Sequence, residues 1–388
     1  MNESLINQKV LIIDPSFFTF QYDLHLYNGL KSLNYDVILV GSHKKAKNYC
    51  NKFEYVGLFY KFSDCIKNDK IRVFIKWIEH FFNMVYLLYF ARNYSIIHFQ
   101  WCSIPIVDRY FIKFLKIRKK VIFTSHDVIP FNGNPSSFLQ TLGWSNLLKE
   151  FHYIIVHTKK TKSQIIKLYN INEKFIKVIP HGILLSSKEQ TKLSAKFNLL
   201  VSSSKKKFLV FGAIKPYKGI DILIKSISLI NNKFLKNCVF IISGKDYFNH
   251  AESLKELSIK LNVSQYIFWD IRYVPDEELP MILEFADIYL FPYKEISTSG
   301  VLMTVLPYVK PIIASKIGIF EELLTDKIDS LLYENNDDEA EANLANKIET
   351  LLSNPSYIPH FKNNISTLII NELSWENIAR KTFELYES

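Results

Sequence analysis

Cysteine is scarce in this chain of 388 residues, and its four copies, Cys50, Cys65, Cys102 and Cys238, lie far apart. No CxxC pair and no Cys/His cluster stands at metal-ligand spacing, which argues against a structural zinc and against a disulfide framework. A reducing, cytoplasmic setting without a metal is expected. Long apolar runs are missing too. The opening residues, MNESLINQKVLIID, are polar and then enter a strand, without the charged and apolar regions of a signal peptide. In the most membrane-like stretch, Ile71 to Tyr94, the residues Arg72, Lys76, Glu79, His80 and Asn83 interrupt the apolar sequence. What remains is too short to span a bilayer core of about 30 Å. Residues Ile71–Arg92 are expected to form a helix that either lies on a membrane or packs on a sheet.

What the chain does have is apolar content, 48% of its residues, enough for more than one core. Its charge is divided unevenly. Residues 1–185 hold 25 Lys and Arg against 12 Asp and Glu, a net +13, whereas the remainder nets −3. Such asymmetry implies an anionic partner for the first half, and nucleic acid, anionic lipid and a pyrophosphate-bearing substrate all qualify.

Short β-branched and aromatic runs alternate with amphipathic segments throughout, the pattern of parallel sheets covered by helices. Strands are expected at Val10–Asp14, Val37–Gly41, Ile96–Gln100, Val121–His126, Tyr153–His157 and Ile176–Pro180, with helices such as Tyr22–Leu33 and Pro105–Leu115 between them. The pattern breaks in the Lys- and Ser-rich stretch after Ser186 and restarts near Phe208. Further strands follow at Phe208–Phe211, Val239–Ser243, Tyr266–Trp269, Ile288–Pro292, Pro311–Ala314 and Leu331–Tyr333. The division expected is residues 1–185 as one Rossmann-like domain, 186–206 as linker and 207–370 as a second such domain. A closing helix, 374–388, begins at an N-cap serine and packs back on the first domain.

Doubly wound sheets bind ligands in loops at strand C-terminal ends. In FGAIKPYKGIDILI, Gly212 permits a close turn, Lys215 and Lys218 supply cations, and Gly219 opens a helix. That assembly suits a diphosphate, although a solvated basic loop would look the same. In FPYKEISTSGVLMTVL, Ser297, Thr298, Ser299 and Gly300 bring hydroxyls and free N–H groups to a helix start. The competing reading is a plain N-cap. FTSHDVIPF places His126 and Asp127 just after a strand. His126 is either a catalytic-site group or a structural hydrogen-bonder, and Asp127 either joins it or caps the turn.

Taken together, these segments resemble glycosyltransferase family 4, the group 1 glycosyltransferases, over most of the chain. The H-D-x-x-P loop, the P-Y-K-G loop, the S-G-V helix start and a closing S-W helix occur in the family's order. The resemblance implies the GT-B fold, α/β with two Rossmann-like domains facing a central cleft, the first binding acceptor and the second donor. It implies a retaining transfer of sugar from a nucleotide-sugar donor, UDP- or GDP-linked, to a glycan or lipid-linked acceptor in polysaccharide or glycoconjugate synthesis, with no cofactor and no metal. Lys218 matches the lysine that contacts the donor diphosphate, and Ser299, Gly300 and Val301 match the helix start that holds its distal phosphate. His126 matches the histidine beside the transferred sugar. Glu322 falls where the family often has a glutamate after a glycine-containing turn. Gly212, Lys215 and Thr298 complete the expected donor site.

Three departures stand out. The family's glutamate pair would fall at Ile296 and Thr304, with Glu295 adjacent to the first; its arginine after the first strand of the second domain is Ala213, with Lys215 the nearest substitute; and its glycine-rich loop after the first strand of the chain is PSFFTFQYD. Two other classes remain open. An epimerase or phosphorylase on the same plan is one, because fold does not determine reaction. A nucleic-acid-binding protein is the other, but the lysines of the first half are scattered through α/β elements rather than gathered in a binding module, so no nucleic-acid partner is expected.

Overall fold

The computed structural model describes residues 9–46, 53–130, 141–185, 197, 204–247, 249–336 and 339–388. The stretch expected as a linker, 186–206, lies almost wholly outside these, as does Cys50. Two compact units are present: Met1–Gly182 with Glu372–Ser388, and Ile183–Asn371.

The first unit is built on a seven-stranded sheet of order β3-β2-β1-β4-β5-β6-β7, every pairing parallel. Its strands are β1 (Lys9–Asp14), β2 (Asp36–Ser42), β3 (Tyr55–Phe59), β4 (Ile96–Phe99), β5 (Lys120–Ser125), β6 (Tyr153–Val156) and β7 (Ile176–Val178). Side chains alternate between faces. Leu11 and Ile13 therefore join Met84, Leu87 and Ile112, from the helices Asp69–Phe90 and Pro105–Lys116, on one side. Val10 and Ile12 join Leu26, Leu30, Ile378 and Ala379 on the other. The latter side is covered by the helices Phe20–Ser32 and Trp375–Glu387. A Cβ added to Gly29 would stand 2.8 Å from the Ala379 Cβ, so these two helices approach closely.

β3 has no counterpart in the periodicity. Its sequence, YVGLF, holds a glycine, lies at the sheet edge and is only half-buried, so it lacks the apolar run of an inner strand.

The second unit repeats the plan with six parallel strands in the order β10-β9-β8-β11-β12-β13. These are β8 (Lys206–Phe211), β9 (Cys238–Ser243), β10 (Ile267–Asp270), β11 (Ile288–Phe291), β12 (Ile312–Ser315) and β13 (Leu331–Tyr333). In each sheet the strand order reverses beside its first strand, between β1 and β4 and between β8 and β11. Ligands of doubly wound folds bind at such switch points. Cys65, Cys102 and Cys238 are free thiols, and no described helix is long and apolar enough to cross a membrane.

Candidate functional site

At the second switch point, two loops meet. β8 is followed by Gly212, whose φ of 103° places it in the region that favours glycine, and the chain then forms a short 3-10 turn, Pro216–Lys218. Gly219, at φ 62°, passes the chain into the helix Ile220–Leu229. A Cβ there would collide with the carbonyl oxygen of Pro292 at the end of β11, so glycine is what lets the two loops touch. From the other side, β11 continues through Pro292–Thr298 to Ser299. Its Oγ accepts from the Leu302 N–H at 3.1 Å and caps the helix Gly300–Val305.

Lys218 is the unusual residue here. Only 3% exposed, it donates from Nζ to the Phe211 carbonyl at 2.9 Å, and Nζ lies 5.1 Å from the centre of the Tyr293 ring. Removal from water, with a smaller contribution from the neighbouring Lys215 cation, lowers its pKa from 10.5 to about 7. A Cβ on Gly212 would stand 2.7 Å from Lys218 Nζ and 3.2 Å from Val301 Cγ2, so Gly212, Lys218 and Val301 are immediate neighbours. A Cβ on Gly300 would meet nothing within 4 Å. The helix start therefore opens on free space beside a buried amine. The arrangement suits a compact anion, whose charge would hold the amine protonated while uncovered N–H groups take its oxygens.

The other expected residues surround this centre unequally. Lys215 and Thr298 are half-buried on the two loops. Glu322 is exposed on the helix Gly318–Leu323. That helix begins at Gly318, φ 53°, where a Cβ would collide with the Ile296 carbonyl oxygen. Of the two positions where carboxylates are absent, Ile296 makes this backbone contact, and Thr304 donates to the Gly300 carbonyl at 2.8 Å. Sequence reading did not single out Tyr293, Gly244 or Tyr217. Tyr293 forms the wall beneath Lys218, Gly244 packs against the backbone of Gly212, and Tyr217 lies 5.8 Å from Tyr293 between ring centres.

In the first unit, the ends of β4, β5, β6 and β7 bring Gln100, His126, His157 and His181 into one cluster. His126 is 9% exposed, stacked on Trp101 at 5.7 Å and edge-on to Tyr22 at 4.9 Å. Its Nε2 lies 3.1 Å from Gln100 Oε1, its Nδ1 3.3 Å from His157 Nε2, and His157 Nδ1 3.0 Å from the Ile179 carbonyl oxygen. Burial lowers the pKa of His126 well below the usual 6.5, that of His157 to about 4 and that of His181 to about 3, so all three are neutral near pH 7. The carbonyl fixes the protons. A neutral His157 must donate to Ile179 from Nδ1, leaving Nε2 to accept from His126 Nδ1–H. His126 Nε2 is then an acceptor and calls for the NH₂ end of the Gln100 amide, whose oxygen then turns toward His98 Nε2. His157 carries the signal that was overlooked: like His126, it directly follows a strand.

The loop PSFFTFQYD is organised by acid rather than glycine. The Asp14 carboxylate accepts from the N–H groups of Thr19 at 2.9 Å and Ser16 at 3.2 Å. The Thr19 hydroxyl lies 3.3 Å from Asp23, and burial raises both carboxyl pKa values. Among the described residues, no group of three or more His, Cys, Asp and Glu side chains is arranged to hold a metal.

Comparison with known proteins matches residues 21–186 to the family described as Glycosyltransferase Family 4, and residues 191–367 to Glycosyl transferases group 1. The chain belongs to the family 4, group 1 glycosyltransferases. The chain is 23% identical over 240 residues to an uncharacterised glycosyltransferase of Methanocaldococcus jannaschii, covering 60% of this chain and 59% of that one. It is also 28% identical over 123 residues to alpha-maltose-1-phosphate synthase of Mycolicibacterium smegmatis, 31% of this chain and 32% of the relative. The alignments thus span about three fifths and one third of these relatives' lengths. Among solved structures, Anabaena HepE in complex with UDP and glucose superposes with a TM-score of 0.72 at 16% identity, covering 98% of this chain and 99% of that one. Sucrose-phosphate synthase from Thermosynechococcus elongatus gives 0.71 at 15%, covering 98% of each. The chain has the GT-B fold, with two parallel-sheet α/β domains.

Proposed function

We propose that the glycosyltransferase moves a sugar, with retention of anomeric configuration, from a UDP- or GDP-sugar held by the second unit to a glycan or lipid-linked acceptor held by the first. The observation that carries this reading is the buried Lys218 amine beside Gly212 and the open start of the Gly300–Val305 helix. As the anomeric bond breaks, the leaving diphosphate gathers negative charge, and a fixed cation stabilises that charge more than it stabilises the ground state. Lys215, Thr298, Ser299 and Val301 complete the diphosphate site in this reading, and Glu322 borders it. His126, neutral and fixed by Gln100 and His157, stands beside the transferred sugar. No metal or cofactor is required. HepE, with the same fold, was solved with UDP and glucose, which favours a uridine diphosphate donor. The setting proposed is the cytoplasm, in cell-surface polysaccharide or glycoconjugate synthesis.

Incubating the protein with UDP- and GDP-sugars, with and without glycan acceptors, tests the reaction. Acceptor-dependent release of nucleoside diphosphate supports the proposal. Conversion of the nucleotide sugar without acceptor points instead to an epimerase.

A further inference from the structure

Two neighbouring helices of the first unit present apolar residues outward. In Asp69–Phe90, His80, Met84 and Leu87 face the interior, yet Phe74, Ile78, Phe81, Phe82, Val85 and Tyr89 are 44–65% exposed. At about 100° per residue, those six fall within an arc of roughly 100° on the side away from the core. In Pro105–Lys116, the exposed Ile106, Tyr110 and Phe114 follow one another at four-residue spacing, and Ile117, 73% exposed, extends the line. Contact between the Phe81 and Phe111 rings, 5.6 Å between centres, joins the two stripes into one surface. Exposed apolar surface of this extent marks a site that something covers.

Charge identifies the occupant. From residue 69 to 119 the carboxylates are Asp69, Glu79 and Asp108. Glu79 is buried on the N–H groups of Phe62 and Ser63, and Asp108 is buried on His80 and the Ile104 N–H. Asp69 is paired with Arg72 at 2.7 Å. Beyond that pair stand the exposed Lys70, Arg92, Lys113 and Arg118. Lys76 does not join them: its Nζ sits 4.0 Å from the centre of the Tyr60 ring and 3.4 Å from Ser16 Oγ, inside the unit. A second copy of the chain would set this basic margin against itself. A bilayer bearing anionic headgroups matches both the aromatic surface and its rim.

We propose that the glycosyltransferase docks on anionic membrane through the outward faces of Asp69–Phe90 and Pro105–Lys116. The docking is independent of the reaction proposed above. Co-sedimentation with phosphatidylcholine vesicles, with and without phosphatidylglycerol, tests it. Wild-type protein binds the anionic vesicles about tenfold more strongly than the neutral ones, and added salt weakens the binding. The double variant F82S/F114S, altered only at exposed positions, loses about tenfold in binding. L229S, an exposed apolar position on the second unit, binds as wild type. Absence of wild-type binding, or equal binding by F82S/F114S, overturns the proposal. So does a dimer in sedimentation that F82S/F114S dissociates. Nucleotide binding by F82S/F114S without vesicles stays at the wild-type level, which separates failure of docking from failure of the reaction proposed above.

Discussion

Burying an amine is unfavourable unless something offsets its lost hydration, and in Lys218 the offset seen is one carbonyl and one aromatic face. An arriving diphosphate supplies the remainder. Replacing Lys218 by Met is therefore expected to lower turnover about a hundredfold while leaving the melting temperature unchanged or raised; a folded K218M with normal turnover removes the lysine from the site. Proton linkage gives a second test. With its pKa lowered from 10.5 to about 7 in the folded chain, Lys218 binds more proton unfolded than folded between those values, so its effect on stability rises with pH across that window. Diphosphate binding selects the ammonium form and raises its pKa. Nucleotide affinity should then fall as pH rises above about 7, with proton uptake visible when calorimetry is repeated in buffers of different ionisation enthalpy. Affinity that stays flat from neutral to alkaline pH would exclude Lys218 as the cation. In the first unit, the chain Gln100–His126–His157–Ile179 predicts coupling. His126→Ala and His157→Ala should each destabilise by about 2 kcal/mol, with at least about 0.5 kcal/mol of non-additivity in the double variant. Simple additivity in urea denaturation would show that the two rings do not fix one another.

At the scale of elements, the glycines divide into two kinds. Gly219 is held at φ 62° against the Pro292 carbonyl, whereas Gly300 faces open space at the start of a helix. Gly219→Ala should unfold at markedly lower urea concentration. Gly300→Ala should keep wild-type stability, since alanine favours a helix over glycine by about 1 kcal/mol, yet lose nucleotide affinity because its methyl enters the ligand space. Unchanged affinity in G300A would mean that the helix start does not face the nucleotide. These elements were legible because their signals are local. A glycine, a lysine and a capping serine after apolar strands mark β8, β11 and their loops. The Asp14-centred loop was not legible because its carboxylate serves backbone N–H groups of an irregular turn, and the contact of His126 with His157 was not because hydrogen bonding between side chains 31 residues apart leaves no periodic trace. Strand β3 escaped because an edge strand with Gly57 has neither a continuous apolar run nor alternation.

For the whole molecule, two parallel sheets covered by helices followed from alternation of apolar runs and amphipathic segments, whereas the order of the strands came only with the structure. The excess of basic residues in the first half was also plain in the sequence. That it borders an apolar surface was not, because the helix Asp69–Phe90 carries apolar residues on both a buried and an exposed face and periodicity alone cannot tell a covered face from an open one. The reaction proposed depends on nucleotide binding in the second unit, and calorimetric titration of UDP, GDP and ADP into wild-type protein and K218M tests that dependence directly. The account predicts that UDP or GDP binds the wild type and that K218M, still folded, loses about a hundredfold in affinity. Absence of binding by all three nucleotides, or equal affinity in K218M, would contradict it.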